Sequence, residues 1–208
     1  MTPAAFITLE GIDGAGKTSH LERIRGWLTT QGIAFVQTRE PGGTPLGETL
    51  RQLVLSQPMA PQTEALLMFA ARSEHVTQVI APALAAGKTV LSDRFSDASA
   101  AYQGGGRELG LTRIAELEAW THAGLQPDLT LLFDLDPVIA AQRVAQGRSV
   151  QDRFEQEQLA FFERVRAAYL ARVAAQPERF CVLDAARSIE HVGAQIILAL
   201  QALQARRS

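Results

Sequence analysis

The stretch that decides the fold is FITLEGIDGAGKTSH, residues 6–20. A short apolar run, FITLE, passes into three glycines around Lys17 and then into a segment with helical periodicity. Gly11-Ile12-Asp13-Gly14-Ala15-Gly16-Lys17-Thr18 satisfies G-x-x-x-x-G-K-[ST] at every fixed position, in the strand–loop–helix setting that the motif requires. Glycines let such a loop curl until successive backbone N–H groups point inward and form an anion nest. The helix that starts near Lys17 adds the positive end of its dipole and its free N–H groups. Lys17 can then reach terminal phosphates, and the Thr18 hydroxyl can take a Mg²⁺ coordination position. The loop, Gly11 to Thr18, is therefore read as the site of a nucleoside triphosphate.

Outward from this loop, four more β-rich runs alternate with helical stretches. The five runs are AFITLE (5–10), AFVQTR (34–39), KTVLSD (88–93), LTLLFDL (129–135) and FCVLDA (180–185). Most are almost continuously apolar, as strands buried on both faces of a parallel sheet are. Strands alternating with amphipathic helices imply right-handed crossovers. The expected fold is α/β, a three-layer P-loop NTPase architecture with a five-stranded parallel sheet flanked by helices and a short lid. Asp136-Pro137 supplies a helix start. Two polar, glycine-bearing segments, YQGGGRELG (102–110) and QGRSVQDRFEQE (146–157), read as loops of the kind that touch ligands or move. No internal repeat or linker interrupts the chain, so one domain over 1–208 is expected.

Composition narrows the class of function. With 47% apolar and 20% charged residues over 208, the chain reads as an ordinary globular protein with a substantial core. A formal charge of −2 carries no basic field for nucleic acid. Cys181, the one cysteine, rules out an internal disulfide and is read as a core thiol in a reducing compartment. No run approaches the length of a membrane span and no signal peptide is indicated, which points to the cytoplasm. The four histidines lack metal-ligand spacing.

A P-loop alone does not separate kinases from switches and motors. No N-K-x-D base-reading segment occurs, and 208 residues are few for a large ATPase. Asp93 and Arg94 close the third strand run; the acid there can hold a Mg²⁺ shell and the arginine can grip an anion. The competing reading makes Asp93 the cap of the next helix. Arg39 also lies at a strand end, where ligands of open α/β sheets collect. Arg72, in LLMFAARSEHV, would by itself be read as a surface ion pair. Three arginines fed to one crevice suit an acceptor phosphate better than a hydrolytic water, which points to phosphoryl transfer between nucleotides.

FITLEGIDGAGKT, TREPGGTPLGE, VLSDRFSDASAAYQGGGR and GRSVQDRFEQE follow one another in the order and spacing of one family. From about residue 5 to 185 the chain resembles bacterial thymidylate kinases. The resemblance implies ATP-dependent, Mg²⁺-assisted phosphorylation of dTMP in a cytoplasmic homodimer. It implies that Asp13 meets the acceptor sugar's 3′-hydroxyl and that Arg39, Arg72 and Arg94 hold the dTMP phosphate. Ser99 and Gln103 fall near thymine, and Tyr102 sits where a ribose 2′-hydroxyl would clash. Segment 147–153 matches the family's lid, with Arg148 and Arg153 closing over phosphates. Eukaryotic members carry an arginine inside the P-loop; Gly14 stands there instead, which leaves that charge to the lid. The family stacks thymine on a phenylalanine four residues before the helix arginine, yet that position is Met68. Phe69 beside it is taken as the base contact, the alternatives being that Met68 packs on the base or that both are core side chains. Another (deoxy)nucleoside monophosphate kinase, or a P-loop module without transfer activity, remains the alternative. The helical stretch 62–86 is a candidate dimer face.

Overall fold

The computed structural model describes residues 4–147, 153–154 and 157–207. Strands β1 (Phe6–Glu10), β2 (Phe35–Arg39), β3 (Thr89–Asp93), β4 (Leu129–Asp134) and β5 (Phe180–Asp184) form one sheet in the order β2-β3-β1-β4-β5. All four pairings are parallel; Ile7 stands opposite Leu91 and Leu129. The order places β1, which feeds the glycine loop, at the centre, so the loop emerges at the carboxyl edge between β3 and β4. The sheet order reverses at β1, and such a switch point opens a crevice for ligands.

Between the strands run α1 (Lys17–Thr30), α2 (Pro45–Ser56), α3 (Pro61–His75), α4 (Ala81–Ala85), α5 (Ser96–Ser99), α6 (Leu111–His122), α7 (Pro137–Gly147), α8 (Leu159–Ala175) and α9 (Ile189–Arg207). Ile7 and Leu9 share a core cluster with Ile24 and Leu28 of α1 and with Ile196 and Leu200 of α9. Phe6 points to the other face, as strand alternation demands, and joins Val90, Ile80 and Phe95. The Val138 amide donates to Asp136 Oδ1 at 2.8 Å, so Asp136 opens α7 ahead of Pro137 as its sequence suggests.

Three local readings change. Only β1, β3 and β4 are buried along their length; β2 and β5 are edges and half-exposed. Cys181 accordingly lies half-buried on β5, packed against the main core, and burial pushes its thiol up. The helical stretch after residue 61 is a rod with a π turn, Val76–Ile80, before α4. Pro82 has no N–H and its ring crowds the carbonyl four residues back, which widens the preceding turn.

The largest change concerns YQGGGRELG. Residues Ala100–Gly106 form a π-helical segment buried against α8 rather than a loop. A Cβ at Gly105 would lie 2.6 Å from Ala168 Cβ, and one at Gly106 would lie 2.5 Å from the Phe161 ring. These glycines admit a neighbouring helix, not a ligand.

A buried ion network ties the layers together. Asp97, fully buried on α5, accepts from Arg172 Nε of α8 at 2.7 Å and from both terminal nitrogens of Arg179 at 2.6 and 2.8 Å. Arg179 also donates to Thr130 on β4, and Arg172 to Glu118 on α6. Burial alone would raise the Asp97 pKa; Arg179 and Arg172 outweigh it and hold the carboxyl below its usual range. Removing one partner from such a cluster leaves buried charge uncompensated. Asp97→Ala is expected to cost about 3–5 kcal/mol of unfolding free energy in urea titration.

Candidate active site

The glycine loop is shaped by what surrounds it. Gly11 has φ +135, and a Cβ there would meet the Phe133 carbonyl of β4 at 2.5 Å. Gly14 has φ +82 and no room either, since its Cβ would lie 2.7 Å from the Ala140 carbonyl of α7. Gly16, in the left-handed region, opens α1 without a side-chain cap. The first N–H groups of α1 thus have no competing side-chain acceptor, the condition for holding a phosphate there.

Lys17 folds back onto this loop, donating from Nζ to the carbonyls of Gly11 at 2.8 Å and Ile12 at 3.0 Å. Burial, and next the nearby Arg94 cation, lower its pKa to about 8, against the opposing pull of Asp13, Asp93 and Glu10. An ammonium with so depressed a pKa gains most from an incoming polyanion.

In front of the loop lies a cleft of about 810 Å³. Asp13, Lys17 and Thr18 of the loop line it, together with Arg39, Arg51 and Arg94. Arg94 follows β3 with φ +72, a backbone conformation uncommon for an arginine. Its guanidinium donates to Asp13 Oδ1 at 2.9 Å and to the hydroxyls of Tyr102 and Tyr169 at 3.3 Å each. Arg39 pairs with Glu48 at 2.8 Å. Arg51 of α2 donates to the Pro41 carbonyl at 3.0 Å; burial, then Arg39, lower its pKa. Asp93 also lines the cleft, and its buried Oδ1 has no hydrogen-bond partner among the described residues. Helix α5 has no side-chain cap, so the capping reading of Asp93 is not what the structure shows. A carboxylate oxygen so placed, in the cleft that Thr18 also lines, fits a hard cation such as Mg²⁺. Among the described residues no cluster of three metal-ligating side chains exists; Mg²⁺ typically takes one or two carboxylates plus phosphates and water.

Several expected residues stand elsewhere. Arg72 is 1% exposed and is not on the cleft wall. Its Nε donates to Glu40 at 2.7 Å and its Nη2 donates to the Phe95 carbonyl at 3.1 Å and to Ser99 Oγ at 2.9 Å. It is neither a surface ion pair nor a neighbour of Arg39 and Arg94 in the cleft. Burial would raise the Glu40 pKa, but Arg72 and His75 hold it low. Ser99 is likewise fully buried behind the wall. Phe69 turns into a separate cluster with Ala100 and Ile114, its ring under the Arg72 guanidinium at 4.5 Å, while Met68 lines the cleft. Phe69, the expected base contact, thus does not line the cleft, whereas Met68 does. Successive side chains on a helix are about a hundred degrees apart, and here α3 turns Met68 to the cleft and Phe69 away from it.

Tyr102 and Gln103 do line the cleft. Gln103 Nε2 donates to buried Glu64 at 2.8 Å, and its Oε1 is left without a partner. Arg148 lies outside the described residues. Arg153 is tied to the Val54 carbonyl at 3.1 Å and to Glu64, beside α2 and α3 rather than on the cleft wall.

Sequence reasoning missed Arg51, Arg143, Glu10 and Tyr169. Arg51 and Arg143 sit in amphipathic helices, where a charge normally means a solvated face; both line the cleft. Glu10 closes β1 fully buried, and burial, then Asp97, push its carboxyl up to about 8 despite Arg94. An acid ending an apolar strand was the available signal.

One cleft of about 810 Å³ thus gathers the lysine and threonine of the glycine loop with a further group of arginines. The chain matches the family model for thymidylate kinase over residues 9–196. A thymidylate kinase of Bordetella petrii is 58% identical over 198 residues, 95% of each chain. One of Thiobacillus denitrificans is 56% identical over 201 residues, 97% of this chain and 98% of the relative. One of Burkholderia cenocepacia is 54% identical over 207 residues, 98% and 100% of the two chains.

The packing at Gly14 makes a structural prediction. With φ +82 and a carbonyl 2.7 Å from any Cβ, Gly14→Ala is expected to cost about 1–3 kcal/mol in denaturant unfolding. Gly26→Ala inside α1, where an added Cβ meets nothing within 4 Å, should instead raise stability, by up to about 1 kcal/mol.

Proposed function

The chain belongs to the thymidylate kinase family, and we propose that it transfers the γ-phosphoryl group of ATP to dTMP, giving dTDP and ADP. The observation that carries this reading is that Lys17 and Thr18 of the loop line one cleft together with Arg39, Arg51 and Arg94. A hydrolase would need one anion site and a water; a further group of cations in the same cleft suits a donor and an acceptor.

Phosphoryl transfer asks little covalent chemistry of side chains, so positioning and charge stabilisation dominate. Backbone N–H groups of the loop and Lys17 hold the donor's phosphates. Lys17 exchanges its bonds to the Gly11 and Ile12 carbonyls for phosphate oxygens. Arg94, Arg39 and Arg51 orient the acceptor phosphate; Arg51 takes the place that the family resemblance would have given to Arg72. Asp13 holds Arg94 and accepts from the acceptor sugar's 3′-hydroxyl. Met68 and Gln103 border the base, and Tyr102 lies against the sugar. Arg72 and Ser99 act from behind the wall, keeping α3 and α5 in register. Thr18 and Asp93 would hold Mg²⁺, which when bound neutralises charge on the transferring phosphates.

The segment 147–153 serves as the lid of a single 1–208 domain in this reading. Gly14 has no space for an arginine, so the cation over the transferring group comes from Arg148 or Arg153. For Arg153 that means giving up Glu64 and Val54 on closure. We further propose a homodimer; Leu66 on α3 and Trp120 on α6, both large, apolar and exposed, support it. No helix among the described residues is long and apolar enough to cross a membrane, and a cytoplasmic setting fits the half-buried lone thiol.

The decisive experiment presents dTMP, dUMP, UMP, dCMP and thymidine with Mg-ATP and reads ADP release. Preference for dTMP is expected; preference for another monophosphate assigns the scaffold to a different acceptor. No release with any acceptor makes it a binding module. In the same assay Lys17→Ala should lower kcat by about a hundredfold or more with the melting temperature retained. Normal turnover would remove the loop from the chemistry.

The pH dependence follows from Lys17. In the free enzyme its pKa is about 8, whereas beside a triphosphate the ammonium form is favoured. Above pH 8 binding must therefore take up a proton, and ATP affinity should fall by roughly tenfold per pH unit. Calorimetric Kd values from about pH 7.5 to 9.5 test this; affinity that rises with pH contradicts the assignment.

A further inference from the structure

Arg94 is held from three sides, and one of them lies outside the cleft. Tyr169 of α8 is 2% exposed and does not line the cavity. Its hydroxyl accepts from Arg94 Nη1 at 3.3 Å and donates to Glu10 Oε2 at 2.9 Å. Glu10 Oε1 in turn accepts the Phe95 amide at 2.7 Å. The carboxyl is thus anchored where β1 ends and where the chain leaves Arg94, bridging the two ends that frame the site. Packing alone does not call for a hydroxyl at this depth, since a phenylalanine ring would fill the same space; a buried polar group is kept only with partners.

The other supports of Arg94 belong to the cleft itself. Asp13 and Tyr102 both line it, and both are assigned to the acceptor sugar. When the acceptor enters, their bonds to Arg94 compete with bonds to substrate. Tyr169 has no such competitor, because it faces no ligand.

We propose that Tyr169 is a positioning residue for the acceptor phosphate, passing the fixed position of Glu10 to Arg94 and keeping the guanidinium aimed into the cleft while Asp13 engages the sugar. This rests on the reading of Arg94 as an acceptor-phosphate ligand. It assigns to α8 a part in acceptor binding that none of its residues makes by direct contact with the cleft.

The test is steady-state kinetics of the full chain, with dTMP and ATP each varied against saturating partner. Four proteins are compared: wild type, Tyr169→Phe, Arg94→Ala and the double variant. Tyr169→Phe is expected to lower kcat/KM for dTMP by about five- to tenfold, the loss of one hydrogen bond to a charged group. The KM for ATP and the melting temperature should stay near wild type. In the Arg94→Ala background the same change should have no further effect, because the hydroxyl acts through that guanidinium. A second variant, Glu10→Gln, leaves the Tyr169 hydroxyl but changes its acceptor, and should show a smaller loss in the same parameter.

Unchanged kcat/KM for dTMP in both Tyr169→Phe and Glu10→Gln overturns the inference. So does an equal loss with and without Arg94, or an equal rise in both KM values, either of which marks a structural role. If Arg94→Ala itself leaves kcat/KM for dTMP intact, the acceptor-phosphate reading falls first and takes this inference with it.

Discussion

No side chain fits at Gly11 or Gly14, and the rest of the molecule is arranged around that constraint. A polyphosphate can lie on bare backbone only if the loop's N–H groups turn inward, and the turn brings the loop so close to its neighbours that a Cβ at Gly11 or Gly14 would lie 2.5 or 2.7 Å from the Phe133 or Ala140 carbonyl oxygen. Those carbonyls belong to β4 and α7, so the loop is shaped by the parallel pairing of β1 with β4 as much as by its own glycines. The same closeness excludes an arginine at Gly14. Charge for the transferring group must then come from across the cleft or from beyond α7.

A cleft that concentrates cations is electrostatically expensive without substrate. The structure limits that cost by giving each cation an acceptor that substrate can displace. Lys17 rests on two carbonyls of its own loop, Arg39 on Glu48, Arg51 on the Pro41 carbonyl and Arg94 on Asp13. Burial nonetheless lowers the Lys17 and Arg51 pKa values, a residual strain that an incoming phosphate relieves. The deeper acids differ. Glu40, Asp97 and Glu64 pair with arginines that do not line the cleft: Glu40 ties the end of β2 to α3, Asp97 ties α5 to α8, and Glu64 of α3 holds Arg153. Displaceable partners thus surround the ligand space, and permanent ones hold its walls.

What could be read from residues alone divides along the same line. The P-loop, the five strands and their parallel arrangement were legible, because each depends on local pattern: a motif at fixed spacing and apolar runs between helical stretches. YQGGGRELG was misread because glycine has two uses that look alike in one dimension. It can bare backbone to a ligand or, as at Gly105 and Gly106, admit a helix. Arg72 was misread because its partner, Glu40, lies 32 positions away, and only folding makes that pair and buries it. Met68 and Phe69 are adjacent letters; which one faces the cavity depends on the rotation of α3 against the sheet.

By itself, then, the sequence determined the chemistry of the donor site and the class of fold, since a triphosphate nest needs only consecutive backbone and one lysine. It also named most of the charged residues that line the cleft. The tertiary structure decided which arginines line the cleft, why Gly14 must stay bare, and how Glu10 and Tyr169, 159 positions apart, come to support one guanidinium. Each of those is a distance between segments remote in the chain, fixed by sheet order and helix packing rather than by any local preference.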